Sequence, residues 1–465
     1  MLRHTTVQSH AERKQEIKQE TRTLFNLMWP ILITQVAQAG FGLIDTVMAG
    51  RLSPTDLAVV AVGVGLWLPV VLFMAGVMIA TTPLVAKAKG AGQSSQVPWI
   101  TQQALYLALL LGLAGFAMLQ LAPLSFDLLD VPQHLQAKAG FFLHAIAFGM
   151  PAVTLYATLR GYTEALGHPR PVTVISLLGL LGIIPLNYVF MNGLFGLPKL
   201  GGAGCGIATA CIQWLMLIAL VIYLHYAKTY QHIKIFQRFS RFNRAMVQRI
   251  FKLGAPIGMA IFFEVSLFSI AAIILSPLGE VVVSAHQIAL SVPSVFFMLP
   301  LALGMALTIR VGQLYGEQNW TALRQVQRLG FLFATLMACS TMLIMWLFRQ
   351  QITAFYSTDI QVQTAATSLL LFALIYQLSD AWQVAAAGCL RGMQDTQGPM
   401  WITLLSYWGI ALPLGILLSR MLPYGAAGFW TGLVIGLTIA AILLGIRLRQ
   451  QQRRLWRYLS TTDAA

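Results

Sequence analysis

Charge is scarce in this chain, and acid is scarcest. Only 10% of its 465 residues are charged, 15 of them acidic and 30 basic, against 57% hydrophobic. No soluble core of this length needs that much apolar surface, so a water-soluble enzyme or binding module is excluded. The phosphate-cradling G-x-x-x-x-G-K-[ST] pattern is missing, so ATP is not the visible energy source. H-E-x-x-H, G-x-S-x-G and suitably spaced catalytic carboxylates are missing too, which removes the readable signatures of a membrane-embedded hydrolase. The four cysteines, Cys205, Cys211, Cys339 and Cys389, form no C-x-x-C pair. They read as small buried hydrophobes, with neither a disulfide nor a metal site implied. Residues 1–23 are polar, carry five basic side chains and lack a cleavable signal pattern. They read as a retained cytoplasmic tail.

What is abundant is long apolar sequence, with a mean hydropathy of +0.72. The runs lack the polar–apolar alternation of barrel strands. They are long enough to cross ~30 Å of hydrocarbon as helices. Twelve spans are expected, making an all-α integral membrane protein. With both termini on one side, 25 of the 30 basic residues fall on that side and five on the other. The positive-inside bias therefore puts both termini in the cytoplasm. The same distribution accounts for the net charge of +15 without nucleic acid, through loops that meet anionic lipid heads.

The chain repeats itself. Pro30 matches Pro256, and Ala80, Thr82, Val85 and Gly90 match Ala306, Thr308, Val311 and Gly316 at the same offset. Leu159-Arg160-Gly161 matches Leu390-Arg391-Gly392, and Ala203-Gly204 matches Ala427-Gly428. Six spans per half is an even number, so both halves enter the membrane the same way round. Two six-helix bundles are expected, at 24–227 and 253–447, flanking a cavity suited to alternating access. A tail over 448–465 follows. Between the bundles, 228–252 holds seven basic residues and no acid, with Phe236, Phe239, Phe242, Met246 and Ile250 at spacings of three and four. That spacing predicts an amphipathic helix on the inner membrane surface.

Three carboxylates interrupt the apolar runs: Asp45, Glu264 and Asp380. An ionised group at mid-bilayer costs ~3 kcal/mol on insertion scales, so each is expected to face a wet or paired interior and to mark an ion or substrate path. Gln35, Gln38 and Asp45 fall within about 80° on a helical wheel and form one polar stripe. Glu264 is flanked by Phe262, Phe263 and Phe268. An apolar setting opposes the charged form of a carboxyl, which lets it exchange a proton for an arriving cation. Neighbouring aromatic faces also suit a flat organic cation. Tyr376, Gln377 and Gln383 share a helical face with Asp380, where a hydroxyl and an amide would hold the carboxylate or supply hard oxygens to sodium. Asn187 and Thr209 are weaker candidates for a first-bundle cavity, with interhelical hydrogen bonds as the alternative. Single histidines His144 and His286 read as satisfied core residues. Arg160 and Arg391 fall near span ends, where they would cap or snorkel.

Together these residues resemble the multidrug and toxic compound extrusion (MATE) family, in its NorM-like branch. The resemblance runs from about Leu24 to Arg447. It rests on Pro30 with Gly42-Leu43-Ile44-Asp45 and Met48-Ala49-Gly50, Ala255-Pro256 with Glu264, Ala285-His286-Gln287-Ile288, Pro185-Leu186-Asn187 and the two Leu-Arg-Gly turns. It implies a bacterial inner-membrane antiporter, complete in one chain and without a cofactor, that expels cationic or zwitterionic drugs and dyes in exchange for sodium ions or protons. It implies further that Glu264, Asp380 and Tyr376 couple the ion in the second bundle and that Asp45 serves the first. Ions arriving from outside would neutralise Glu264 and Asp380 and release the drug. Some relatives carry a second Asn four residues before the one matching Asn187, where this chain has Ile183. A first-bundle ion site of Asp45, Asn187 and Thr209 departs from that pattern. A same-fold alternative is a flippase for a lipid-linked precursor, whose cavity would be basic, whereas the deep charges read here are acidic.

Overall fold

The computed structural model describes residues 10–230, 235–237, 239–421 and 425–462. Among the described residues, eleven helical segments are each long and apolar enough to span a bilayer, and one bent pair, taken as one span, completes twelve. In the first half these are α1 (His10–Leu52), α2 (Pro54–Met78) running on into α3 (Thr81–Gly90), α4 (Gln96–Leu121), the pair α5 (Gln133–Ala147) and α6 (Met150–Ala165), α7 (Arg170–Asn192) and α8 (Gly204–Tyr226). The second half holds α9 (Arg244–Leu275), α10 (Glu280–Glu317), α11 (Trp320–Tyr356), α12 (Ile360–Gly392), α13 (Gln397–Leu404), α14 (Leu412–Ile416) and α15 (Gly425–Thr462). Starts are set by local chemistry: Ser53, Asn243, Asn319 and Asp359 each accept a hydrogen bond from a first-turn N–H of the helix that follows. The α5–α6 pair bends by 41° at 148–149. A Cβ at Gly149 would stand 3.1 Å from Ala210 Cα, so glycine lets α6 start against α8.

Between α13 and α15 the backbone loosens into π-type turns at Leu405–Ala411 and Leu417–Met421, on either side of α14. Pro413 has no N–H to give Gly409, which accounts for the slack at the first of them.

The predicted linker helix over 228–252 is not what forms. Lys228–Tyr230 is a short 3-10 turn, residues 235–237 are turn, 239–243 have no regular structure, and α-helix begins at Arg244. Two glutamines of α4 supply the reason. Gln102 Nε2 donates to the Ile235 carbonyl at 2.6 Å and Gln102 Oε1 accepts from Ser240 N–H at 2.9 Å. Gln103 Oε1 accepts from Asn243 N–H at 2.7 Å while its Nε2 donates to the Arg241 carbonyl at 3.0 Å. Backbone groups that would have bonded along a helix are satisfied by side chains instead. Of the apolar residues spaced for a surface helix, Met246 and Ile250 are buried on α9, while Phe239 and Phe242 are exposed. Residues 231–234 and 238 lie outside the described residues.

The bundles meet most closely on the half of the molecule that carries both termini. Leu24, Leu27, Met28 and Ile31 of α1 are buried against the Ala302–Leu314 stretch of α10. A Cβ at Gly254 of α9 would lie 2.1 Å from the Val77 carbonyl oxygen, and one at Gly316 of α10 would lie 2.1 Å from that of Lys87. Glycine alone permits these backbone approaches. Arg310 of α10 grips Glu20 of α1 with a two-pronged ion pair, at 2.6 and 2.8 Å. Gln313 Nε2 reaches the Ala165 carbonyl at 2.9 Å.

Candidate functional site

The predicted carboxylates divide between the bundles, Asp45 in the first and Glu264 with Asp380 in the second. In the first, Asp45 of α1 is 6% exposed. Its Oδ1 accepts from Asn187 Nδ2 of α7 at 2.6 Å and its Oδ2 from Thr209 Oγ1 of α8 at 3.0 Å. Three helices thus converge on one carboxylate. Asn187 is fully buried, and its own Oδ1 has no partner. A buried, unpaired amide oxygen beside a carboxylate is a donor set for a hard cation. Asn187→Leu is expected to lower the thermal midpoint in detergent, because Asp45 Oδ1 would lose its buried donor at a cost of about 1–3 kcal/mol. An unchanged midpoint would show that this bond holds nothing.

Gln35 and Gln38 do not join Asp45. They accept from Arg160 of α6, at 2.6 Å from Nη2 to Gln35 Oε1 and 2.9 Å from Nη1 to Gln38 Oε1. Arg160 Nε donates to Glu164 Oε1 at 2.8 Å. Both charges are buried, at 9% and 1% exposure, and Met305 Sδ of the second bundle lies 3.8 Å from Nη2. Arg160 is therefore no snorkelling residue at a span end. Nor are the deep charges all acidic, although this base is matched by its own acid. Among the described residues, its repeat mate Arg391 bonds only its own helix, at the Ala387 carbonyl, and lies within electrostatic reach of Glu264.

In the second bundle, Glu264 of α9 and Asp380 of α12 lie close enough to feel one another's charge. Neither carboxylate accepts a hydrogen bond from a described residue. Tyr376 is buried one turn before Asp380 and stacks on Trp430, with ring centroids 6.2 Å apart. Gln377 and Gln383 face elsewhere than expected. Gln377 Nε2 turns to Thr341 Oγ1 at 3.5 Å and Met345 Sδ at 3.8 Å on α11, and Gln383 Oε1 accepts from Tyr407 at 2.8 Å. Phe263 serves by its carbonyl, which accepts from Trp408 Nε1 at 3.2 Å. Tyr407 and Trp408 stand in the first π-type stretch, and Tyr407 lies within electrostatic reach of both acids. Such bulges recur at functional sites. Only Pro413 downstream hinted at this one. His286 is not a satisfied core histidine: it is fully buried against Trp430, and neither ring nitrogen has a partner.

The MatE family description matches residues 30–189 and 256–417, one stretch in each bundle, covering Asp45 and Asn187 in the first and Glu264 and Asp380 in the second. The chain belongs to the MatE family. As a MatE protein it is a transporter and not an enzyme. It is 59% identical to the "Probable multidrug resistance protein NorM" of Acinetobacter baylyi over 94% of this chain and 97% of that one. It is 41% identical to the "Multidrug resistance protein NorM" of Vibrio cholerae, again over 94% of this chain and 97% of the relative. Among solved structures, the eukaryotic MATE transporter AtDTX14 superposes with a TM-score of 0.84 at 20% identity, over 95% of this chain and 99% of that one. An outward-facing MATE family transporter gives 0.85 at 19% identity, over 94% and 96%. These last two likenesses speak for the MatE fold of two six-helix bundles.

Proposed function

We propose that this chain is a multidrug efflux antiporter of the bacterial inner membrane. It exports cationic and zwitterionic drugs and dyes in exchange for inward sodium ions or protons, by alternating access. Support comes from relatives that carry the multidrug resistance name and from one carboxylate centre in each bundle, on either side of a junction sealed at the termini-bearing half. The basic residues concentrate on that half, which makes it the cytoplasmic side. A junction closed on that side is what the outward-open state of alternating access requires.

The chemistry follows from the two centres. Glu264 and Asp380 accept no hydrogen bond from a described residue, so a drug cation or a coupling ion can each serve as their partner. Two close carboxylates hold their charges poorly unless a cation sits between them. Ion entry from outside neutralises the pair, and the drug leaves. The Glu20–Arg310 pair and the glycine contacts must then part for the cavity to open inward. Ligands that contact the two states differently shift their populations, as alternating access requires. A flippase for a phosphate-bearing lipid would need a surplus of interior base, and Arg160 is already matched by Glu164.

The test is dye efflux from proteoliposomes under imposed gradients. Ethidium efflux driven by a sodium gradient alone is expected. Efflux that follows only a proton gradient would assign the proton as coupling ion. No movement of cationic dye under either gradient would refute the antiporter.

A further inference from the structure

A cavity of about 500 Å³ opens on the termini-bearing half, away from both carboxylate centres. Its walls are the first turns of α9, the loop between α12 and α13, and α15 at Arg447. Its charged side chains are Arg249, Lys252, Arg447 and Asp395. Asp395 is fully engaged: it accepts from Arg447 Nε at 2.7 Å, Arg447 Nη2 at 3.3 Å and Gln451 Nε2 at 2.7 Å. Arg249 and Lys252 make no ion pair or side-chain hydrogen bond with any described residue. Lys87 of α3 stands close enough to feel the charge of Arg249, which adds to the positive potential.

The polar groups point the same way. Gln394 lines the cavity, and its Nε2 is buried with no acceptor. The loop holds it there in a left-handed conformation, at φ 64. Thr396 gives α13 no side-chain cap, so the first N–H groups of that helix have no partner from it. Two free cations, a buried amide donor and an uncapped helix start bring positive charge and donors together, which is the chemistry that holds an oxyanion. A cation would be repelled by Arg249 and Lys252, and a neutral carbonyl would leave both charges uncompensated.

The surroundings narrow the anion. Gln397 lines the cavity, and Trp401, one turn along the same face of α13, is 63% exposed. An exposed Trp beside basic residues at a span end marks the boundary between headgroups and acyl chains. Basic pockets between spans at that level suit lipid phosphates. We propose that this cavity binds the phosphate of an anionic phospholipid from the leaflet on the termini side, with Arg249, Lys252 and the Gln394 amide as its ligands and an acyl chain running past Trp401. The bound lipid would brace α9, the helix that carries Glu264, against α12 and α15. The reading does not depend on which ion or drug is transported.

The test uses the purified full chain in phosphatidylcholine nanodiscs, with phosphatidylglycerol added. Readouts are lipid retained in native mass spectrometry and the thermal midpoint. The expected result is that phosphatidylglycerol is retained and raises the midpoint, with retention about fivefold weaker for each basic side chain removed in Arg249→Gln and Lys252→Gln. Arg453→Gln with Arg454→Gln, which are exposed on the same side, should change nothing. An unchanged midpoint of the variants in phosphatidylcholine alone shows that they fold. If one does not, Gln394→Leu removes a donor without changing charge and should weaken retention too. Inorganic phosphate giving the same shift, lost in the same variants, supports the oxyanion site and assigns it to free phosphate. Variants that keep phosphatidylglycerol as the wild type does, or a wild type that does not distinguish it from phosphatidylcholine, would overturn the proposal.

Discussion

Glu264→Gln is expected to reduce ion-driven dye efflux to the background of empty liposomes while the protein stays folded. The two halves of that expectation come from one observation. The Glu264 carboxylate accepts no hydrogen bond from a described residue, so the isosteric amide breaks none. It relieves the repulsion from Asp380 and gives up the attraction to Arg391, so the thermal midpoint should stay near that of the wild type. What is lost is the charge that binds a cation. A structural carboxylate would behave in the opposite way, losing stability first and transport only in proportion. The measurement is efflux at equal protein per liposome, beside the midpoint in detergent. Efflux within twofold of wild type would remove Glu264 from the coupling centre. Asp380→Asn should follow the same pattern, and the double variant should be no worse than either single one, because two groups that act as a unit fail as a unit.

The sequence made the acids legible because an Asp or Glu in a long apolar run has few ways to exist. Asp45, Glu264 and Asp380 could be singled out on desolvation cost alone. Their partners were less visible. Asn187 and Thr209 meet Asp45 from helices more than 140 positions away, and periodicity carries no information about which helices touch. Gln35, Gln38 and Asp45 do share a stripe, yet the stripe is long enough to serve two neighbours. The upper part meets Asn187 and Thr209, and the lower part meets Arg160. Gln377 and Gln383 show the same limit: the face they share with Asp380 is wide enough to touch α11 and Tyr407 instead.

The linker misled for a different reason. Its spacing of Phe, Met and Ile was real, and a helix was the cheapest way to satisfy its backbone in isolation. Gln102 and Gln103 offered a cheaper one, since each amide bonds two backbone groups at once. Both glutamines are buried, at 2% and 0% exposure, so their polar ends had to find partners in any case. A pair of adjacent glutamines inside an apolar span was the available signal, pointing to a docked chain rather than a free one.

Arg160→Leu is expected to cost about 3–5 kcal/mol of stability, because it strands a buried acid. Glu164 is 1% exposed and Arg160 Nε is its ion-pair partner, at 2.8 Å. The loss also frees the side-chain oxygens of Gln35 and Gln38, which no longer hold α6 to α1. Removing both charges, as Arg160→Met with Glu164→Leu, should restore most of the midpoint, since a matched apolar pair avoids the desolvation of two ions. Transport separates the remaining roles. Arg160 touches Met305 across the bundle junction, so it lies on a surface that must part when the cavity opens inward. A double variant that is stable but slow would place the pair in the switching step, and one that is stable and fully active would make it a fold element only. If Arg160→Leu melts with the wild type, the buried ion pair is not what joins α6 to α1.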